Sequence, residues 1–362
     1  MSEASTSALW ARLRQAGVVA GEAPAEAVTV TPWYIRTMLG IGGWIGAMFL
    51  LGFVGAGFAF VMESPIAALI LGALLCAAAT FMFRTWPESD FLEQFALAVS
   101  IAGQALLAVG LSRLLQSQGA LFALVFAVVQ AGLFRLVPNF LHRVLTAGVG
   151  AGALVHALNL WGFSPYTQAL VFAGFGWAWL NEFRLPGRDQ QMRALGYGLT
   201  LMVIFGLVTR SSTELWRVVA MTDGVGVFGG AYGFWIGNAL LAALTLWVVW
   251  RLLARQGVAR DSGAGLAALA GALVVGLVSL KAPGLGVTVT MLLLGYANGN
   301  RVLAGLGIVS LLAYWSYYYY SLEITLLQKS ALLVCAGIVL LAARLAMKRG
   351  WPAAEPAGGG DA

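Results

Sequence analysis

The chain has 362 residues, of which 60% are hydrophobic and only 10% charged, and its mean hydropathy is +0.85. A soluble domain carries about 25% charged residues, so this chain lacks the polar surface to coat a water-soluble globule, and an all-α membrane-embedded bundle is expected instead. The net charge of +6 comes from arginines dispersed between apolar blocks, with no basic stripe, which excludes nucleic acid as the expected partner.

Residues 1–37 are polar and mixed. Within them Ser7–Val19 reads as a short amphipathic helix, with Leu9 and Leu13 four apart, Trp10 beside them and Ser5, Thr6 and Ser7 as caps. It is expected to lie on the membrane surface or against the bundle; the competing reading is a loosely ordered tail. Gly21–Pro32 reads as a linker. The first long apolar block follows this polar stretch, so it reads as an uncleaved spanning helix rather than a signal peptide.

Twelve apolar blocks follow: Met38–Val61, Ile66–Phe83, Phe91–Leu111, Leu121–Val137, Val144–Trp161, Tyr166–Phe183, Ala194–Val208, Phe234–Leu253, Ala264–Leu280, Leu285–Asn298, Val302–Tyr318 and Leu326–Met347. Most approach the roughly 20 residues that span a bilayer. The seventh and tenth are short, so the expected count is about 12 spans, within 10–12. The expected organisation is an N-terminal segment 1–37, a transmembrane helical domain 38–347 and a disordered cytoplasmic tail 348–362, rich in Gly, Pro and Ala.

Assigned to alternating sides of this array, the 21 Lys and Arg residues divide sixteen against five, with the larger group on the side of both termini. Positive residues stay cytoplasmic, so both termini are expected inside. Six blocks precede the basic connection Arg184–Arg193 and six follow it, a count that permits a two-half architecture.

Soluble catalytic signatures are absent: there is no Gly-rich loop ending in Gly-Lys-Ser/Thr, no metalloprotease helix motif around His142 or His156, and no Gly-x-Ser-x-Gly elbow. Cys76 and Cys335 lie deep in apolar blocks and read as small core residues. No catalytic role, cofactor or metal is expected. The pairs Gly42/Gly46, Gly148/Gly152 and Gly295/Gly299 have the small-residue packing spacing, which arises readily by chance in a chain with 46 glycines.

Polar groups inside the spans are the remaining signal. Glu93, Ser100 and Gln104 fall on one helical stripe, interrupted by Leu97. His156 and Asn159 are three apart on another helix, and Asn238 lies on a third. The last connection carries Tyr317–Tyr320, then Glu323 and Lys329. The expected topology sets His156, Asn159, Asn238, Glu323 and Lys329 in or near the outer half of the membrane, where they form either a polar cavity open to the outside or an interhelical hydrogen-bond network. The tyrosines also suit an interfacial belt. Lys329 either snorkels to the headgroups or reaches inward to tyrosine hydroxyls or carbonyls.

Three sets of segments carry a resemblance: Pro32–Trp33–Tyr34 with Gly42–Gly43–Trp44; Phe91–Leu92–Glu93–Gln94 with Ser100–Ile101–Ala102–Gly103–Gln104; and Gly299–Asn300–Arg301–Val302–Leu303 with Tyr318–Tyr319–Tyr320–Ser321–Leu322 and Thr325–Leu326–Leu327–Gln328–Lys329–Ser330. From Leu9 to Met347 the chain resembles a bacterial membrane family, domain of unknown function 4401. The resemblance implies a bacterial inner-membrane location and a genetic neighbourhood of other membrane proteins. It brings no catalytic residues, but it draws interest to Glu93, Gln94, Gln104, Tyr319, Tyr320 and Lys329. The expected function is a component of a membrane protein complex, with the bilayer and other membrane proteins as partners. The alternative is a transporter or channel-like protein for a small solute or lipid, and an intramembrane enzyme ranks third.

Overall fold

The computed structural model describes residues 10–17, 33–57, 64–86, 89–184, 187–211 and 231–321, with single residues between 325 and 341. Among these residues the chain forms twelve helices and no strand. They are α1 (10–15), α2 (Trp33–Gly57), α3 (Pro65–Thr85), α4 (Asp90–Leu114), α5 (Ala120–Leu136), α6 (Phe140–Leu160), α7 (Ser164–Leu180), α8 (Asp189–Ser211), α9 (Ala231–Arg255), α10 (Gly263–Ser279), α11 (Pro283–Ala297) and α12 (Arg301–Ser321). Six of them (α3, α4, α6, α8, α9 and α12) are long and apolar enough to cross a membrane by length and composition. Helices α5, α10 and α11 are apolar but shorter. This is the make-up of a membrane protein.

The helix starts follow local chemistry. Ser64 Oγ accepts from Ala67 N at 3.3 Å ahead of Pro65, Asn139 Oδ1 from His142 N at 2.8 Å, and Ser262 Oγ from Gly265 N at 3.1 Å. Each side chain satisfies a backbone donor that has no partner within the helix. The Asn139 cap explains why α6 begins four residues before the apolar block at Val144. Three helix ends use a left-handed residue: Gly162, Gly257 and Gly299 have φ of +83°, +66° and +63°. The following amides of Phe163, Val258 and Asn300 reach back to Leu158, Leu253 and Gly295 carbonyls at 2.9, 3.1 and 2.8 Å. This is the Schellman arrangement, open to glycine because it has no Cβ to clash.

Two boundaries differ from expectation. Helix α8 runs 23 residues from Asp189, so the seventh block is not short; the polar residues Asp189–Arg193 join its first turns, where an acidic side chain suits the helix dipole. Helix α12 continues to Ser321, so the tyrosine run is its last turn and not a connection. Most of the twelfth block, all of the linker Gly21–Pro32, the tail 348–362, Cys335, Glu323 and Lys329 lie outside the described residues, and the few described positions of the twelfth block beyond 326 are helical.

The chain divides into two compact units, Met1–Leu114 and Leu115–Ala362. The division falls after α4, not at Arg184–Arg193, because α8 packs on α6 and α7, the helices before that connection. In the first unit α4 is central, with α3 and α2 packed on it. In the second, α7 is the most enclosed helix. Phe172, Phe175 and Trp179, three, four and seven residues apart, are fully buried against Val203 of α8, Leu241 and Val248 of α9, and Met291 and Leu294 of α11. A helix apolar on all sides belongs inside a bundle.

Candidate functional site

In the first unit, α4 carries three of the sequence candidates within its first three turns. The Oε1 of Gln94 accepts a hydrogen bond from Trp44 Nε1 of α2 at 3.2 Å. That bond is reached because Gly43 lets the helices meet: a Cβ there would stand 2.7 Å from Phe91 O and 3.0 Å from Phe95 N. The segments around Gly43–Trp44 and Phe91–Gln94, fifty residues apart, therefore form one structure. Between them lies a cleft of about 520 Å³ lined by Gly40, Ile41, Trp44, Ile45, Asp90, Glu93 and Gln94. Asp90 and Glu93 occupy the first turn of α4, where the helix dipole stabilises negative charge. Deeper in the unit, Ser100 and Gln104 are buried, and Gln104 Nε2 donates to Ser100 Oγ at 3.2 Å. Leu97, between Glu93 and Ser100, is buried as well. The stripe is thus continuous in space, with its acidic end in the cleft and its amide end inside.

In the second unit, the candidates at one end contact backbone. His156 Nε2 lies 3.2 Å from Gln118 O, ahead of α5, and Asn238 Nδ2 donates to Leu280 O, past the end of α10, at 3.0 Å. Asn159 sits one turn from His156, half-buried. Tyr319 and Tyr320 meet edge to face at 5.5 Å, and Tyr320 is 79% exposed. Such exposure on an apolar helix end suits an interfacial ring.

The opposite end of this unit holds a cluster that sequence reading missed. Glu182, just past α7, is 2% exposed. Its Oε1 accepts from Arg193 Nε of α8 at 2.9 Å, and its Oε2 from Asn298 Nδ2, past α11, at 3.1 Å. Asn298 Nδ2 also bonds Trp179 O at 2.9 Å, and Asn298 Oδ1 accepts from Arg255 Nη1 of α9 at 3.2 Å. Next to it, Asn300 Oδ1 caps α12 through Leu303 N at 3.1 Å and accepts the Tyr197 hydroxyl at 2.8 Å. One side chain thereby starts a helix and ties it to another, which accounts for the Gly299–Asn300–Arg301 segment in physical terms. The hint for Glu182 was a lone acid at the close of an apolar block, before a basic connection. Its partners are 11 and 116 residues away and sit in or just past other helices, so only the fold brings them together.

Among the described residues no group of three or more His, Cys, Asp or Glu is placed to hold a metal ion. No curated protein and no solved structure matches the chain significantly. A family model described as "Domain of unknown function (DUF4401)" matches residues 32–350, which takes in all three resembling segments but not the stretch from Leu9 to Thr31. The chain belongs to the DUF4401 family.

Proposed function

We propose that the chain is a multi-pass protein of the bacterial inner membrane, with both termini cytoplasmic, that serves as a binding component of a membrane protein complex rather than as a catalyst. The observation that carries this reading is the α2/α4 cleft. It joins apolar walls, Ile41 and Ile45, to two carboxylates and to the Trp44–Gln94 pair. A partner helix with a basic residue near the membrane surface matches both, by packing and by charge. The outer face of α2 supports this, since Met38, Met48 and Phe49 are 71%, 64% and 76% exposed, and methionine-rich faces adapt readily to partners. The cytoplasmic placement of the termini rests on the sixteen-to-five division of Lys and Arg.

The alternative, a transport pathway, needs His156 and Asn238 to line a route. Their bonds to helix-end carbonyls favour a role as interhelical ties. A photocrosslinker placed at Ile45 in native membranes tests the proposal, with one at Leu74, 60% exposed on α3, as comparison. A discrete protein adduct at Ile45, diminished by Asp90→Asn/Glu93→Gln and missing at Leu74, is expected. Lipid adducts alone at both positions overturn it.

A further inference from the structure

At the Glu182 end of the second unit, a pocket of about 140 Å³ between α7 and α9 is lined by Trp177, Asn181, Arg184, Trp247, Arg251 and Arg255 among others. Arg251 and Arg255 are four apart on α9, so their head groups share a face. Arg184 joins them from the residues just past α7. Arg255 is steadied by Asn298. The Arg251 guanidinium lies 5.9 Å from the centres of both Trp247 and Trp250. Among the described residues no carboxylate pairs with Arg184 or Arg251. Glu182, two residues before Arg184 in the sequence, is buried and bonded to Arg193 and Asn298.

We propose that this pocket binds a phosphate ester, whose membrane source is the headgroup of an anionic phospholipid. Guanidinium forks match phosphate oxygens in pairs. Trp177 and Trp247 line the pocket, and tryptophan favours the headgroup level of a membrane; basic pockets between spanning helices are suited to such headgroups. The volume is below that of a typical drug-sized site, which confines the ligand to headgroup size. The inference uses the membrane placement proposed above, but not the partner proposed for the α2/α4 cleft.

The competing account is that these arginines contribute only general surface charge. Full-length protein, purified and delipidated, is offered phosphatidylglycerol or phosphatidylcholine in micelles, and bound lipid is counted by native mass spectrometry. Wild type is expected to retain the anionic lipid selectively. Arg184→Gln/Arg251→Gln weakens that binding roughly thirtyfold, while the charge-matched Arg135→Gln/Arg188→Gln changes it less than about threefold. Arg184→Lys/Arg251→Lys keeps the charge but not the fork and falls between, which also guards against misfolding as the cause. Displacement by millimolar glycerol phosphate identifies a soluble phosphate ester as the ligand; resistance to it identifies the lipid. Equal losses in the two glutamine double variants, or equal retention of both lipids, overturn the site. Neither result bears on the crosslinks from Ile45, so the two proposals fail separately.

Discussion

Glu182 shows how much a single side chain ties together at this end of the molecule. Its carboxylate is buried, yet Arg193 keeps 47% of its own side chain exposed, so water screens part of the attraction. Removing the acid and removing the base are therefore unequal. Arg193→Met leaves a buried carboxylate with the Asn298 amide as its remaining described partner and is expected to cost about 3 kcal/mol. Glu182→Gln keeps a polar group for Asn298, lets Arg193 turn to water, and is expected to cost about 1–2 kcal/mol. Thermal unfolding of the purified protein in detergent gives the order directly, and an inverted order would show that the pair is not what holds these helix ends. Gln130 poses the opposite case. It is fully buried on α5, and neither amide atom has a hydrogen-bond partner among the described residues. Burying an unsatisfied amide costs about 1–3 kcal/mol, so Gln130→Met, similar in length and without the polar atoms, is expected to match or exceed wild-type stability in the same assay.

At the scale of helices, the close approaches of the first unit are made by glycines other than those whose spacing invited notice. On α3 and α4, a Cβ at Gly72 would lie 2.8 Å from Gly103 O, and one at Gly103 would lie 2.8 Å from both Gly72 O and Cys76 Sγ. A Cβ at Gly110, seven residues beyond Gly103, would lie 2.9 Å from Pro65 O. Of the pairs with packing spacing, a Cβ at Gly148 would lie 3.3 Å from Gly198 O and one at Gly295 would run into Ala304, whereas Gly299 serves a turn. Gly103→Ala is expected to destabilise the first unit by about 1–3 kcal/mol through overpacking. Gly271→Ala on α10, where nothing lies within 4 Å of the new Cβ, is expected to be neutral or stabilising by up to about 1 kcal/mol through helix propensity. Comparable melting temperatures for the two variants would mean that the α3/α4 contact is loose in the membrane.

For the molecule as a whole, the testable quantity is sidedness. Reporter fusions at the C-terminus and after Arg217 are expected to report opposite sides of the membrane, with the C-terminus inside. The same side for both would mean that the number of crossings between them is odd in the expected scheme and even in fact. The short helices make this a real test. Helix α11 has 15 residues, about 23 Å at 1.5 Å per residue, against a hydrocarbon core of about 30 Å.

Sequence alone determined the membrane class, the all-helical make-up and the positions of the described helices to within a few residues, because bilayer insertion and helix capping act over one helix length at a time. Asn139, Ser262, Gly257 and Gly299 carry their boundary information in their own side chains or in the lack of one. The stripe Ser100–Gln104 was equally legible, since residues four apart on a helix are neighbours wherever that helix packs. Only the tertiary structure decided that Trp44 meets Gln94, that Glu182 gathers Arg193 and Asn298, and that Arg184 joins Arg251 and Arg255. Those contacts join different helices, and their geometry depends on crossing angles and close approaches that no spacing along the chain encodes.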